Sequence, residues 1–219
     1  MNPTILTVQD IMPRLIGLGQ FRVAASREGY DDAYINSTVV PQAIRAFEND
    51  AKFRVSPIRV VTDDDGTFTT GYTGPVLHRD MQPYNYVQSR FFLRFQALEW
   101  PIREVLRFRV ELSRGHPIVT FPLDWVHFET RTGYVWIQPV TGHVTSAASA
   151  TVAWNILENF RHGKFDSLPQ SIALDYDAGL PDGWQSDPEW ADVFRALTAR
   201  AARMILSDWS QTFDAGITQ

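Results

Sequence analysis

Arg103-Glu104-Val105-Leu106-Arg107-Phe108-Arg109-Val110-Glu111-Leu112 is the run on which the fold turns. Val105, Arg107, Arg109 and Glu111 alternate with Leu106, Phe108, Val110 and Leu112, close to the period of two of a half-buried strand. One face is then apolar and the other charged. Similar runs lie around it. Arg90 to Glu99 precedes it across Trp100-Pro101, and His116 to Phe121 and Tyr134 to Gln138 follow. Upstream, Ile58 to Thr62, Asp63-Asp64-Asp65-Gly66 and Thr67 to Thr70 predict a strand, a turn and a second strand. The middle of the chain is therefore expected to carry about six strands. Residues 74–89 interrupt them as a long irregular excursion of the kind that often serves function.

The flanks change period. From Asp31 or Asp32 to about Asp50, the apolar positions Ile35, Val39, Val40, Ala43, Ile44, Phe47 and Ala51 form one helical face. Pro41 inside that pattern predicts a kink or a late start. An earlier short helix is expected after Thr7, with Asp10 as a variant capping box. In the last third, Ala153 to Phe160 reads as a short helix and Ser171 to Asp177 as a strand. Asp187-Pro188-Glu189 then supplies a cap, a first-turn proline and a first-turn acid. The stripe Trp190, Val193, Phe194, Leu197, Ala201, Met204, Ile205 and Trp209 follows, with Arg195, Arg200 and Arg203 on other faces. The expected architecture is α+β: a helical bundle built from residues 1–52 and 141–219, with a central antiparallel β-rich region, 53–140, inserted.

Composition closes several function classes. The 219 residues include no cysteine, which removes disulfides, thiolate metal sites and a cysteine nucleophile. Residues 1–52 sum to −1, 53–140 to +1 and 141–219 to −5, so the acidic excess sits in the last third. That balance argues against a general nucleic-acid coat, whose affinity depends on neutralising phosphates. Of the 20 basic residues only Lys52 and Lys164 are lysines; the rest are arginines, which suit interfaces. Met1-Asn2-Pro3-Thr4 does not begin a signal peptide, and no run approaches 18 apolar residues, so no membrane association is expected.

A search for chemistry nominates little. With Gly66 at the sixth position of a calcium loop, Val61 and Tyr72 would occupy the first and twelfth, where carboxylates are required. The histidines form no HExxH pair, and no nucleophile elbow, Walker A or dinucleotide-binding glycine pattern is present. Asp124, His127 and Glu129 lie close together and can serve acid–base chemistry only if they converge. Trp100, Trp125, Trp136, Tyr84, Tyr86 and Tyr134 can form a sugar-stacking platform, though aromatics in strands usually pack in cores or contacts. Arg103, Arg107 and Arg109 share a strand face that can meet phosphate. Glu111 on that face, and Glu99 just before the strand, favour ion pairing or a subunit contact. No catalytic residue, cofactor or metal is expected.

Three stretches together resemble the head–tail connector (adaptor) proteins of tailed bacteriophages. The first is Asp31-Asp32-Ala33-Tyr34-Ile35 leading to Ala43-Ile44-Arg45-Ala46-Phe47-Glu48. The second is Phe121-Pro122-Leu123-Asp124-Trp125-Val126 with Gly133-Tyr134-Val135-Trp136-Ile137-Gln138-Pro139. The third runs from Leu168-Pro169 through Ile172-Ala173-Leu174-Asp175-Tyr176-Asp177-Ala178-Gly179 into Ala191 to Leu206, a strand-then-helix ending. They cover about half the chain, as patterns of apolar, proline and glycine positions. Residues 53–140 form a larger β region than the smallest adaptors carry, and 74–89 has no counterpart there.

The resemblance implies a structural virion protein of the phage neck, made in the host cytoplasm. It implies a ring of identical subunits, commonly twelve, beneath the portal protein, which extends the DNA channel and docks a downstream neck or tail protein. DNA would pass without specific binding, and no enzymatic activity is implied. Candidate portal or subunit contacts are Trp190, Phe194, Arg195, Arg200, Arg203, Trp209, Arg103, Arg107 and Arg109, with Tyr84 and Tyr86 as loop contacts. Head-to-tail contacts that close by rotation make such a ring, and an acidic lumen wall, for which the last third is the candidate, would ease passage of DNA. The alternative is a carbohydrate-binding β-module using surface tryptophan and tyrosine residues.

Overall fold

The computed structural model describes residues 32–62, 66–85, 94–113, 116–138 and 167–217. It divides into two units, Met1–Phe53 with Pro181–Gln219, and Arg54–Leu180.

The regular structure of the second unit, among its described residues, is mainly strand. β1 (Ile58–Val61), β2 (Val76–His78), β3 (Gln82–Asn85), β5 (Ile102–Ser113), β6 (His116–Phe121) and β9 (Ser167–Ala178) form a six-stranded sheet of order β2-β1-β9-β5-β6, with β3 also paired to β9. β4 (Arg94–Gln96), β7 (Val126–Glu129) and β8 (Tyr134–Ile137) form a smaller sheet of order β4-β8-β7. Every pairing is antiparallel except β1 with β2.

β9 holds the large sheet together. One edge runs along β5, from Val110 opposite Ile172 to Ile102 opposite Ala178. The other edge is shared between β3, which takes its first half, and β1, which takes its last residues. Its alternation explains this central place. Ile172, Leu174, Tyr176 and Ala178 enter the core, while Asp175 and Asp177 stand on the opposite face. On β5 the register shifts between Val105 and Arg107, which lets Val105 and Phe108, three residues apart, join the same core. Phe108 lies between Phe95 of β4 and Phe121 of β6, with ring centroids 5.4 and 5.3 Å away, so the core lies between the two sheets.

In the first unit, an α turn, Asp32–Tyr34, and a π turn, Ile35–Val39, lead into α1 (Val40–Ala51). The irregularity expected near Pro41 takes this form. Val40 donates its N–H five residues back to Ile35, and Pro41 stands directly after this π turn, at the second position of α1. α2 (Ala191–Ile217) begins as the sequence predicts: Asp187 Oδ1 accepts the Glu189 N–H at 2.9 Å, and Pro188 opens a 3-10 turn, Pro188–Trp190. Leu197, Ala201, Ala202 and Ile205 form its buried stripe. Phe53 links α1 and the start of α2, with Phe47 at 6.1 Å and Trp190 at 6.0 Å.

Three expectations are corrected. Among the described residues no helical bundle is formed. The described residues combine two β-sheets with two helices, and a segment of the last third, β9, is the central strand of the larger sheet, because its two-residue alternation fits a sheet and not a helical stripe. The hairpin over 58–70 is also absent: β1 pairs with β2 and β9, and residues 67–70 curl into turns. Residues 74–89 are not wholly irregular, since they contain β2 and β3. The expected helices after Thr7 and over Ala153 to Phe160, and the Asp63-Asp64-Asp65 turn, lie outside the described residues.

Candidate functional site

The face of the large sheet turned away from the core is charged, and its charges meet across strands. Arg59 on β1 lies directly opposite Asp177 on β9 and grips it with two parallel bonds, Nε to Oδ1 at 2.7 Å and Nη2 to Oδ2 at 2.8 Å. This fork-to-carboxylate geometry is the strongest form of the pair. The bond from Arg59 to Asp177 raises the guanidinium pKa above its ordinary value, against a smaller opposing effect of burial.

One position along, Arg107 on β5 lies opposite Asp175 and donates Nε to Oδ2 at 2.6 Å. Asp175 is fully buried, and its Oδ1 accepts the backbone N–H of Thr62 at 2.7 Å. Arg109 approaches the same carboxylate at 3.6 Å and pairs with Glu111 at 2.9 Å. Three arginines and three carboxylates thus balance one another over β1, β5 and β9. Residues 66–74 lie over part of them: Tyr72 sits 3.9 Å from the Arg59 guanidinium and Phe68 4.9 Å from that of Arg107.

A second junction centres on Glu99, just beyond β4. Its Oε2 accepts Arg54 Nε at 2.5 Å, its Oε1 accepts Arg79 Nη2, and its backbone N–H donates to the Tyr176 hydroxyl at 2.9 Å. Burial pushes the Glu99 carboxyl up, but the bonds from Arg54 and Arg79 outweigh it and hold the group below the usual carboxylate range. Burial likewise pushes the Tyr176 hydroxyl well above its ordinary value. Because the Glu99 pKa is lowered on folding, its contribution to stability is complete above the unfolded carboxylate value and disappears as acid protonates the folded group. Glu99→Gln is therefore expected to be less stable than the wild type at neutral pH. The gap should narrow steadily as pH falls below about 4.3, read by urea unfolding across that range.

The outer face of the small sheet carries the aromatic array. Its cross-strand rows are Arg94–Trp136–His127 and Gln96–Tyr134–Glu129. The Arg94 guanidinium lies 4.2 Å over the Tyr134 ring, and the His127 ring stacks on Trp136 at 5.9 Å with 19° between planes. Gln96 donates to the Thr132 carbonyl, and the Thr132 hydroxyl donates to Glu129. Trp125 is buried in the core and Trp100 is half-buried. Asp124 is exposed in the turn before β7, and it forms no hydrogen bond with His127 or Glu129. Among the described residues no group of three or more histidine, aspartate or glutamate side chains can hold a metal ion.

The contact candidates are placed as follows. Arg109 is buried and Arg107 and Arg103 are half-buried on β5, the first two bonded inside the unit. Trp190 is buried beside Phe53, and Phe194 packs on Trp184 with centroids 6.0 Å apart. Arg195 is exposed near Asp192, Arg200 pairs with Asp50 at 2.6 Å, and Arg203 is exposed. Trp209 belongs to α2. Tyr84 belongs to β3, opposite Leu168, while Tyr86 lies outside the described residues. Sequence reading missed Arg54, Arg59, Arg79, Asp175 and Asp177 as partners, since each pair joins residues remote along the chain.

Among the described residues of the β unit, the charged and aromatic side chains of these groups are largely engaged with one another. No protein-family model matches the chain, and no curated protein matches it. Among the described residues no helix is long and apolar enough to cross a membrane.

Proposed function

We propose that this chain is a structural protein of the tailed-phage neck, a head–tail connector that assembles as a ring below the portal and docks the next neck or tail protein. The observation that carries the reading is the third resembling stretch. It runs as β9 through the middle of the large sheet, turns at Gly179, and re-enters a helix capped by Asp187. The state of the charged groups is in keeping with a mechanical part: Arg59, Arg107, Arg109 and their carboxylates stabilise one another and leave little for a small ligand.

This reading refines where DNA would meet acidic charge. Asp175 and Asp177 are engaged with arginines, so a lumen wall drawn from the last third would use Asp182, Glu189 and Asp192, which are exposed. A portal co-expression imaged by electron microscopy tests the assignment. A ring of this chain beneath the portal is the expected result, and portals that never carry it would sink the reading. The carbohydrate-binding alternative draws on Tyr134 and Trp136, the outward pair of β8, but one face of each ring already carries Arg94 or His127. It predicts glycan binding abolished by Trp136→Ala.

A further inference from the structure

We infer that residues 66–74 form a releasable strap, latched over the charged face of the large sheet by Arg59 and Arg107, that opens independently of the sheet beneath. The first observation is a conflict between local sequence and structure. Thr67-Phe68-Thr69-Thr70 is β-prone, and it follows β1 at hairpin distance, yet it enters no sheet. It is wound instead into consecutive turns, with Thr70 N–H bonded to the Gly66 carbonyl at 3.1 Å and Tyr72 N–H to the Thr69 carbonyl at 3.2 Å. Such local conflicts are expected where a segment has a second role.

The second observation is the nature of the latch. Arg59 stacks on Tyr72 and donates Nη1 to the Phe68 carbonyl at 2.9 Å, while Arg107 lies over the Phe68 ring. Both guanidiniums keep their aspartate partners through other nitrogens, so lifting the strap breaks no Arg–Asp pair. Gly66 and Gly71 have φ of 75° and 78°, a backbone region glycine enters without the penalty of a side chain. A turn segment that enters no sheet and is latched to the strands beneath by ring–guanidinium contacts and a side-chain hydrogen bond opens far more often than those strands. When it opens, the faces of Arg59 and Arg107 reach water, side chains that are 18% and 17% exposed beneath the closed strap.

Hydrogen exchange on the full chain, read by mass spectrometry, tests this together with labelling by an arginine-selective dicarbonyl. In the wild type the amides of 66–74 should exchange faster than those of β9. In Phe68→Leu/Tyr72→Leu, which keeps apolar bulk but removes both rings, strap exchange should rise roughly ten-fold. Labelling of Arg59 and Arg107 should rise with it, while β9 stays unchanged. Three results would each overturn the proposal: strap amides that exchange only as slowly as β9, a variant that leaves strap exchange or labelling unaltered, or acceleration of β9 in step with the strap. The single Tyr72→Leu variant, which leaves Phe68 in place, provides the same readout at Arg59 should the double variant fold poorly.

Discussion

Asp175→Ala is expected to destabilise the protein by about 3–5 kcal/mol, the range for removing one partner of a buried ion pair. The carboxylate is fully buried and serves three groups at once: the Thr62 N–H, Arg107 and, at longer range, Arg109. Alanine would leave the Thr62 N–H without its acceptor and deprive a half-buried guanidinium of its counter-charge. Against a total stability of about 5–15 kcal/mol, that is a large fraction. Asp175→Asn can keep the oxygen that accepts from Thr62, but its amide NH2 then faces the Arg107 Nε donor, so a substantial part of the loss should remain. The decisive measurement is a double-mutant cycle with Arg107→Met by urea denaturation. A coupling well above 0.5 kcal/mol is expected for residues that share a network; strict additivity would mean that the pair seen across β5 and β9 contributes nothing as a pair.

The same pair shows what the sequence could and could not disclose. Alternation along 103–112 marked a strand with a charged face, and the structure has β5 there, with Arg107, Arg109 and Glu111 on one side. Glu111, two residues on, was legible as a partner for Arg109, but nothing local marked the partner of Arg107. Asp175 lies far along the chain, and register, which only folding fixes, sets it opposite Arg107. Asp177 similarly meets Arg59 across a separation of 118 residues. The arginine-rich composition therefore has an answer that composition could not supply: in the β unit, Arg54, Arg59, Arg79, Arg107 and Arg109 are engaged with internal carboxylates. Part of the acidic excess of the last third is neutralised in the same way.

Element ends and long regular patterns were legible, whereas short strands were not. Asp187-Pro188-Glu189 announced the start of α2 through bonds made within a few residues. β2 and β3 are three and four residues long, with Pro75 just before one and Pro83 inside the other, so no periodicity could emerge. They exist because β1 and β9 offer edges to pair with. The hairpin expected at 58–70 failed for the converse reason. Its second arm had the right propensity, but the edges of β1 were taken by β2 and β9, and the segment turned its aromatic rings to two arginines instead. Tertiary pairing overrode a correct local preference.

The core separating the two sheets should respond as strongly as the charged face. Phe108→Ala is expected to cost about 3–5 kcal/mol, the range for deleting a buried aromatic side chain. Phe108 has no exposed surface, and its ring meets Phe95 from the small sheet and Phe121 from the large one. Those two edge or tilted contacts add about 0.5–1.5 kcal/mol each beyond area burial. The backbone of β5 is tied on both sides, opposite Leu174 of β9 and Phe121 of β6, so it is poorly placed to collapse into the cavity. Phe108→Leu keeps most of the volume and should lose markedly less. Urea unfolding of the two variants separates the contributions: a large loss for alanine and a small one for leucine means that volume dominates, and equal losses mean that the ring contacts do. An alanine variant within about 1 kcal/mol of wild type would show that the two sheets do not depend on each other through this ring. The small sheet, only three strands of three or four residues, would then need another explanation for its stability.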